Sequence, residues 1–289
     1  MPSPLPSPDG SNEPALYIVS TPIGNLEDIT LRALRILKEV GLVAAEDTRH
    51  TRKLLTHFEI STRLLALHEH NESERAGQVI DRIRSGESVA LVTDAGTPCV
   101  SDPGYRLVSL AAAEGVRVIP VPGASALLSA LAAGGLPTDA FHFQGFLPKK
   151  KGKRHEILER LSQMAHTFVV YESPHRIVSL LEEMQEMLGA RSAVLARELT
   201  KRHEEFLRGD LKSIALALKS RERVRGECTL MVAGGAEERG AGALDLEAEV
   251  DRALKEGGES PSRLSKRLAQ ELGVPRSRVY ELVLKRKGG

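Results

Sequence analysis

The stretch LYIVSTPIGNLEDIT, residues 16–30, decides the fold. A short apolar run, LYIVS, ends at Ser20 and gives way to a tight turn shaped by Pro22 and Gly24. Beyond it Leu31, Leu34, Ile36 and Leu37 recur on one helical face, behind Asp28 and Thr30, residue types that cap a first turn. Strand, polar loop and helix in that order make one unit of a parallel α/β sheet. The unit repeats outward: LVAAE, LLALH, VALVT and VRVIPV are further short apolar runs, separated by helix-like spacing such as that of Val79, Ile80 and Ile83. The spacing predicts an N-terminal α/β domain over residues 15–122.

A hinge at Pro122 and Gly123 leads into an Ala/Leu-rich helix, after which FHFQGF, TFVVY, SAVLAREL and GECTLMVAG read as a second, more hairpin-like and mixed set of strands. This predicts a C-terminal α/β domain over 123–235. The stretch GGAEERGAGA has no apolar period, so 236–245 reads as a linker. Residues 246–289 then form a basic helical tail: Ser260 and Pro261 start one helix, Gly273 breaks it, and another runs from about Pro275 to Lys287. That is helix-turn-helix spacing, and 261–289 carries eight Lys/Arg against Glu271 and Glu281. It suits nucleic-acid binding, or equally a tail docked on the body or on a second subunit. Residues 1–14 lack a basic start and an apolar core, and read as a disordered lead.

Composition narrows the classes. With 41% apolar and 27% charged residues the chain is that of a globular protein, and no apolar run approaches the ~20 residues of a membrane span. A cytoplasmic location without membrane attachment is expected. A formal net charge of +1 excludes a general polycation. Six Phe, four Tyr and no Trp leave few stacking platforms for bare bases, so RNA contact would lean on charge and shape. Cys99 and Cys228 stand far apart with no Cys/His cluster, which supports neither a disulfide framework nor a metal site.

Three loops follow strands and are rich in residues that turn backbone groups towards a ligand: STPIGNLEDIT (20–30), TDAGTPCVSDPG (93–104) and VPGASA (121–126). In an open α/β sheet such ligands sit beyond the carboxyl ends of the strands. None of the loops is GxGxxG or a Walker A sequence, so the two commonest nucleotide fingerprints are absent. The loops suit a small polar ligand held by main-chain groups, with Asp94 as an acceptor; turn chemistry alone is the competing reading of any single one.

LYIVSTPIGNLEDIT, AAEDTRHTRKLL, HEHNE, TDAGTPCVSDPG, PGASA, FQGFLPKK, YESPHR, ARELTKRHEE and GECTLMV together resemble, in order over residues 15–235, the ribosomal RNA cytidine 2′-O-methyltransferase family. The resemblance implies a two-domain tetrapyrrole-methylase fold with a cofactor cleft between the domains and S-adenosylmethionine as methyl donor. It implies also a homodimer, and a cytidine of 16S rRNA in the small ribosomal subunit, near the decoding centre, as target. By the same resemblance the donor lies against Ile23, Asp94, Gly96, Thr97, Ser125, Ala126 and Tyr171. The tetrapyrrole enzymes carry a Gly-rich first turn where this chain has STPIGN, which points to the RNA branch.

The substrate side is read from the residues. Glu46, Asp47, Arg49 and His50 bunch at one strand end, where a solvated face would be unusual. Arg49 offers a planar fork for phosphate or carboxylate. Methyl transfer to a ribose oxygen chiefly needs alignment and exclusion of water, with late removal of the proton by a carboxylate or His. Asp47, Glu46 and His68 are the candidate bases. Asn71 and Glu72 form a second polar cluster with His68 and His70. The run KKKGKR (149–154), with Lys149 and Lys150, suits phosphate contact or plain solvation, and Glu172, Arg176 and Lys201 would line the cleft from the second domain or pair locally. Cys99 lacks a neighbouring base and does not read as a nucleophile. Two other functions stay open: a tetrapyrrole or precorrin methyltransferase of the same fold, and a non-catalytic nucleic-acid-binding protein acting through its tail.

Overall fold

A computed structural model describes residues 13–235, 246–256, 259–271 and 276–287. The expected linker at 236–245, the break at Gly273 and all but the end of the expected lead lie outside the described residues.

Five strands, β1 (Leu16–Val19), β2 (Leu42–Ala45), β3 (Arg63–Ala66), β4 (Val89–Val92) and β5 (Val118–Val121), form the first sheet. Their order is β3-β2-β4-β1-β5 and every pairing is parallel. All four residues of β2 and of β4 are buried, as continuous apolar strands covered on both faces must be. Helices α1 (Leu31–Glu39) and α2 (Thr48–His57) cover one face, packing Ala33, Ile36, Leu37 and Leu55 on Val19, Val43, Ala45 and Val92. Helices α3 (Glu72–Arg84) and α4 (Tyr105–Ala113) cover the other with Val79, Ile80, Ile83 and Leu107.

This placement locates a crevice. β1 and β4 are neighbours, yet the helix that follows β1 lies on one face and the helix that follows β4 on the other. Their connections therefore diverge, and in an open α/β sheet the ligand crevice lies at such a switch point, outside the carboxyl ends of the strands.

The second sheet comprises β6 (Phe141–Phe146), β7 (Thr167–Glu172), β8 (Ser192–Arg197), β9 (Glu205–Asp210) and β10 (Cys228–Val232) in the order β6-β7-β10-β8-β9. β6 and β7 run parallel and the other pairs antiparallel, a mixed sheet as expected. Helix α5 (Ala126–Gly134) packs on it through Leu127, Ala130 and Leu131. Gly134 lets it approach: a Cβ there would sit 2.6 Å from Met231 Cε. Helices α6 (Lys151–Ser162), α7 (Ile177–Leu188) and α8 (Leu211–Lys219) complete the layer. Both sheets fall within one compact unit.

The tail is a second unit of three helices, α9 (Leu246–Glu256), α10 (Pro261–Glu271) and α11 (Arg276–Lys287). Val250, Leu264, Leu268, Val279 and Val283 make its own small core. The helix pair expected there is present, with Ser260 at the head of α10; the preceding α9 is an addition to the sequence reading.

Three details differ from the sequence reading. Leu31 is 86% exposed, so the buried stripe of α1 is Ala33, Ile36 and Leu37. The cap of α1 is Thr30, whose hydroxyl accepts from Ala33 N–H at 3.0 Å, while Asp28 ends a preceding 3-10 turn. And β9, EFLRGD, is an edge strand whose charges hide its period.

Candidate active site

The three loops meet. Thr21 and Gly96 form an isolated antiparallel bridge, with Thr21 N–H donating to Gly96 O at 2.9 Å and Gly96 N–H to Thr21 O at 3.0 Å. Gly96 stands at φ +89°, a conformation that L side chains adopt only with strain. The Thr97 hydroxyl donates to Ala124 O at 3.3 Å and lies 2.9 Å from Ser20 Oγ, so Ser20 is the donor in that second contact. Thr97 thus joins the ends of β1, β4 and β5. Ser125 caps α5, its hydroxyl accepting from Leu128 N–H.

A cavity of about 330 Å³ opens between these loops and the second sheet, within the range of small-molecule sites. Ile23, Gly96, Thr97, Ser125 and Ala126 line it from the loops, and Tyr171 faces them from β7. Six of the seven residues expected against the donor are therefore gathered. Asp94 is the exception: it does not line the cavity, and its carboxylate accepts from Asp47 N–H at 3.1 Å, fastening the end of β2 to β4.

The residues expected on the substrate side mostly have other partners. Asp47 caps α2, accepting from Arg49 N–H at 2.8 Å and from the Arg49 guanidinium at 2.7 and 3.1 Å. Those bonds hold its carboxyl far below the usual range, a poor setting for a base near neutral pH. Glu46 accepts from the Thr93 hydroxyl at 2.6 Å. His68 and Asn71 bond each other across the β3–α3 turn, at 3.2 Å between Nε2 and Nδ2, and Asn71 also donates to Ala66 O. Neither lines the cavity.

Glu72, expected to face substrate, is instead 5% exposed and accepts three main-chain N–H bonds, from Gly104 at 3.1 Å, Arg106 at 2.7 Å and Leu107 at 3.1 Å. It caps α4 and anchors the end of the second loop, which no local sequence signal could reveal. Arg176 grips Glu172, at 2.9 Å from Nε and 2.6 Å from Nη2. Lys201 bridges Glu198 and Glu227, at 3.0 Å from each. Burial pushes the Cys99 thiol up to about 11, with Glu72 and Asp102 adding to the effect, which agrees with its not being a nucleophile.

Of the carboxylates of the cavity wall, sequence reading named Glu172 as a cleft residue and missed Asp102 and Glu227. Asp102, Glu172 and Glu227 line it, and none of its lining residues is Lys, Arg or His. Asp102 lies within the quoted TDAGTPCVSDPG span, where Ser-Asp-Pro-Gly reads as ordinary turn chemistry. Its carboxyl is pushed up to about 7 by burial and by the neighbouring charges of Glu46 and Asp94, only partly offset by the Thr93 hydroxyl that Glu46 also engages. Phe146, 56% exposed at the end of β6, also lines the wall and meets the Tyr171 ring edge-on at 5.6 Å.

Outside the cavity two exposed patches are cationic. α2 starts at the end of β2 and presents Arg49, Arg52, Lys53 and His57, all exposed, along an open groove. Lys149 and Lys150 are exposed at the head of α6, whose first turn holds Lys151 and Lys153. Cations at a helix N-terminus oppose its dipole, so this placement gains nothing for the helix itself.

Comparison with known proteins gives consistent likenesses. Residues 15–215 match the family model of tetrapyrrole (corrin/porphyrin) methylases. A protein of Micromonospora olivasterospora named ribosomal RNA small subunit methyltransferase I is 46% identical, with 95% of this chain and 88% of that one covered. One of the same name from Pseudomonas aeruginosa is also 46% identical, covering 94% and 98%. Among solved structures, uroporphyrin-III C-methyltransferase from Thermus thermophilus, complexed with S-adenosyl homocysteine, aligns with a TM-score of 0.53 at 22% identity, over 76% of this chain and 97% of that one. A diphthine synthase aligns with a TM-score of 0.60 at 16% identity, covering 76% and 90%. Both structural likenesses speak for the fold.

Proposed function

Because the chain belongs to the tetrapyrrole methylase family, in its ribosomal RNA small subunit methyltransferase I branch, we propose that this methyltransferase moves a methyl group from S-adenosylmethionine to a cytidine 2′-hydroxyl of 16S rRNA. The target lies near the decoding centre of the small ribosomal subunit, the enzyme is a homodimer, and it works in the cytoplasm. Among the described residues no helix is long and apolar enough to cross a membrane.

The observation that carries the reading is the split of charge between cavity and surface. The cavity wall has three carboxylates and no cationic side chain, which fits a ligand carrying a sulfonium and an ammonium. The exposed cations of α2 and of the head of α6 fit a polyanion instead.

The donor fits the residues present: Gly96, Thr97, Ser125 and Ala126 offer main-chain and hydroxyl groups, and Ile23 and Leu199 offer apolar contact. When bound, it supplies a methyl carbon already activated by its sulfonium. The chain's own part is to fix the loops through Thr97 and the Thr21–Gly96 bridge, to exclude water with Phe146 and Tyr171, and to hold the rRNA backbone on Arg52, Lys53, Lys149 and Lys150. Arg49 joins that basic face, whereas Arg176 and Lys201 orient the wall carboxylates Glu172 and Glu227.

The test is transfer of label from tritiated S-adenosylmethionine to small ribosomal subunits that lack the modification, followed by nucleoside analysis. Label in 2′-O-methylcytidine is expected; label in a base, or none, would reject the reading.

A further inference from the structure

Three carboxylates line the cavity, and two are already committed to cations. Glu172 is 3% exposed and held by Arg176, with Ser173 N–H donating to it at 2.6 Å. Glu227 is paired with Lys201 at 3.0 Å. Asp102 is different: among the described residues no Lys, Arg or His lies within ion-pair distance of it. We propose that Asp102 takes the proton from the acceptor hydroxyl as the methyl group is transferred. The inference rests on the methyltransferase reading above.

The loop around Asp102 is built to hold it there. Cys99 and Ser101 stand at φ +69° and +66°, the left-handed region that non-glycine residues enter only with strain. Gly104 follows at φ +125°, and a Cβ on it would come within 2.6 Å of Leu91 Cδ2 and 2.9 Å of Cys99 Sγ. The loop is clamped at its far end by the three N–H bonds to Glu72. Such strain persists only where the surroundings over-determine it, and here the strained loop sets Asp102 in the cavity wall.

The groups facing Asp102 all act in one direction except one hydroxyl. Burial opposes its negative form most, Glu46 just beyond β2 and Asp94 just beyond β4 repel it, and only the Thr93 hydroxyl, shared with Glu46, favours ionisation. Cys99 on its own loop and Tyr171 on β7 are both held neutral near pH 7, partly by the charge of Asp102. Its ionisation therefore falls near neutral pH, where a general base is most effective.

In the step the 2′-oxygen bonds to the methyl carbon as the carbon–sulfur bond breaks with its pair going to sulfur. The O–H bond breaks with its pair remaining on oxygen, and the proton passes to Asp102. The product carboxylic acid releases its proton to solvent through the open side of the cavity.

The experiment compares the full-length protein with Asp102→Asn and Asp102→Glu. It measures single-turnover transfer to unmodified small subunits from pH 5.5 to 9, donor affinity by calorimetry, and thermal stability as a check of folding. The parent rate is expected to fall on the acid side with a midpoint near 7. Asp102→Asn should lower the rate on the order of 10²-fold or more and abolish that midpoint, with a much smaller loss of donor affinity than of rate, while Asp102→Glu restores part of the rate. A parent profile with no ionisation between about pH 6 and 8, or a variant whose loss lies wholly in donor affinity, would overturn the proposal. A parent that fails to methylate the subunits at all would reject the methyltransferase substrate reading instead.

Discussion

The Leu127 N–H, in the first turn of α5, donates to the Tyr171 hydroxyl at 3.0 Å. Leu127 follows the PGASA turn and Tyr171 comes from β7, so one bond joins the third loop of the crevice to the second sheet. Burial pushes the Tyr171 phenol up to about 12, so it remains a neutral hydroxyl at working pH. Its ring stands edge-on to Phe143 at 5.0 Å, which fixes its direction. Tyr171→Phe keeps the ring and strands one helix N–H. A stability loss of about 1 kcal/mol is expected, with donor affinity five- to tenfold weaker by a rough reckoning, read by thermal denaturation and calorimetry.

Thr97 is the joint of the three loops. Thr97→Val keeps its shape and removes both hydroxyl contacts. Donor affinity should fall roughly tenfold, with the affinity for rRNA unchanged, because each lost bond is worth about 1 kcal/mol and both lie on the donor side. Filter binding of labelled rRNA beside donor calorimetry separates the two.

The basic face of α2 is expected to contact phosphate. Arg52→Glu with Lys53→Glu should weaken binding to small subunits, and the slope of log affinity against log salt should shallow by about 2. Donor affinity should not move. An unchanged salt slope would place the rRNA elsewhere.

Glu72 is an anchor and not a contact to substrate. Glu72→Ala leaves three N–H groups of the loop and α4, two of them buried, without an acceptor, and about 3 kcal/mol of stability should be lost. Denaturant unfolding measures it, and the methyl-transfer rate should fall too, since the Asp102 loop is tethered there.

Asp102 also sets a stability profile. Its carboxyl is raised in the folded chain, so the folded state holds a proton that the unfolded chain has released between about pH 4 and 7. Its contribution to stability is therefore full at acid pH and is lost as pH rises through about 7. Asp102→Asn removes that loss. The variant should gain in melting temperature relative to the parent as pH goes from 5 to 8; a constant difference would argue against a raised carboxyl.

By itself the sequence determined the elements and the ligand edge. The apolar runs from LYIVS to VRVIPV became β1 to β5 because their periods are local, and local period is enough to choose strand or helix. FHFQGF coincides with β6, and the three loops were legible because glycine, proline and serine mark turns wherever they stand. The charged edge strand β9 escaped, since an edge need not alternate cleanly.

Only the tertiary structure decided which polar side chains face the cavity. Glu72 and Asp102 are both acids at the margin of a loop, and nothing within ten residues of either tells them apart. The first is buried under α4 by a contact spanning more than thirty residues, and the second lines the cavity among strained neighbours, with Glu46 from beyond β2 and Asp94 of its own loop opposing its charge. A carboxylate's role depends on its desolvation and on the charges around it, and both are properties of the packed chain.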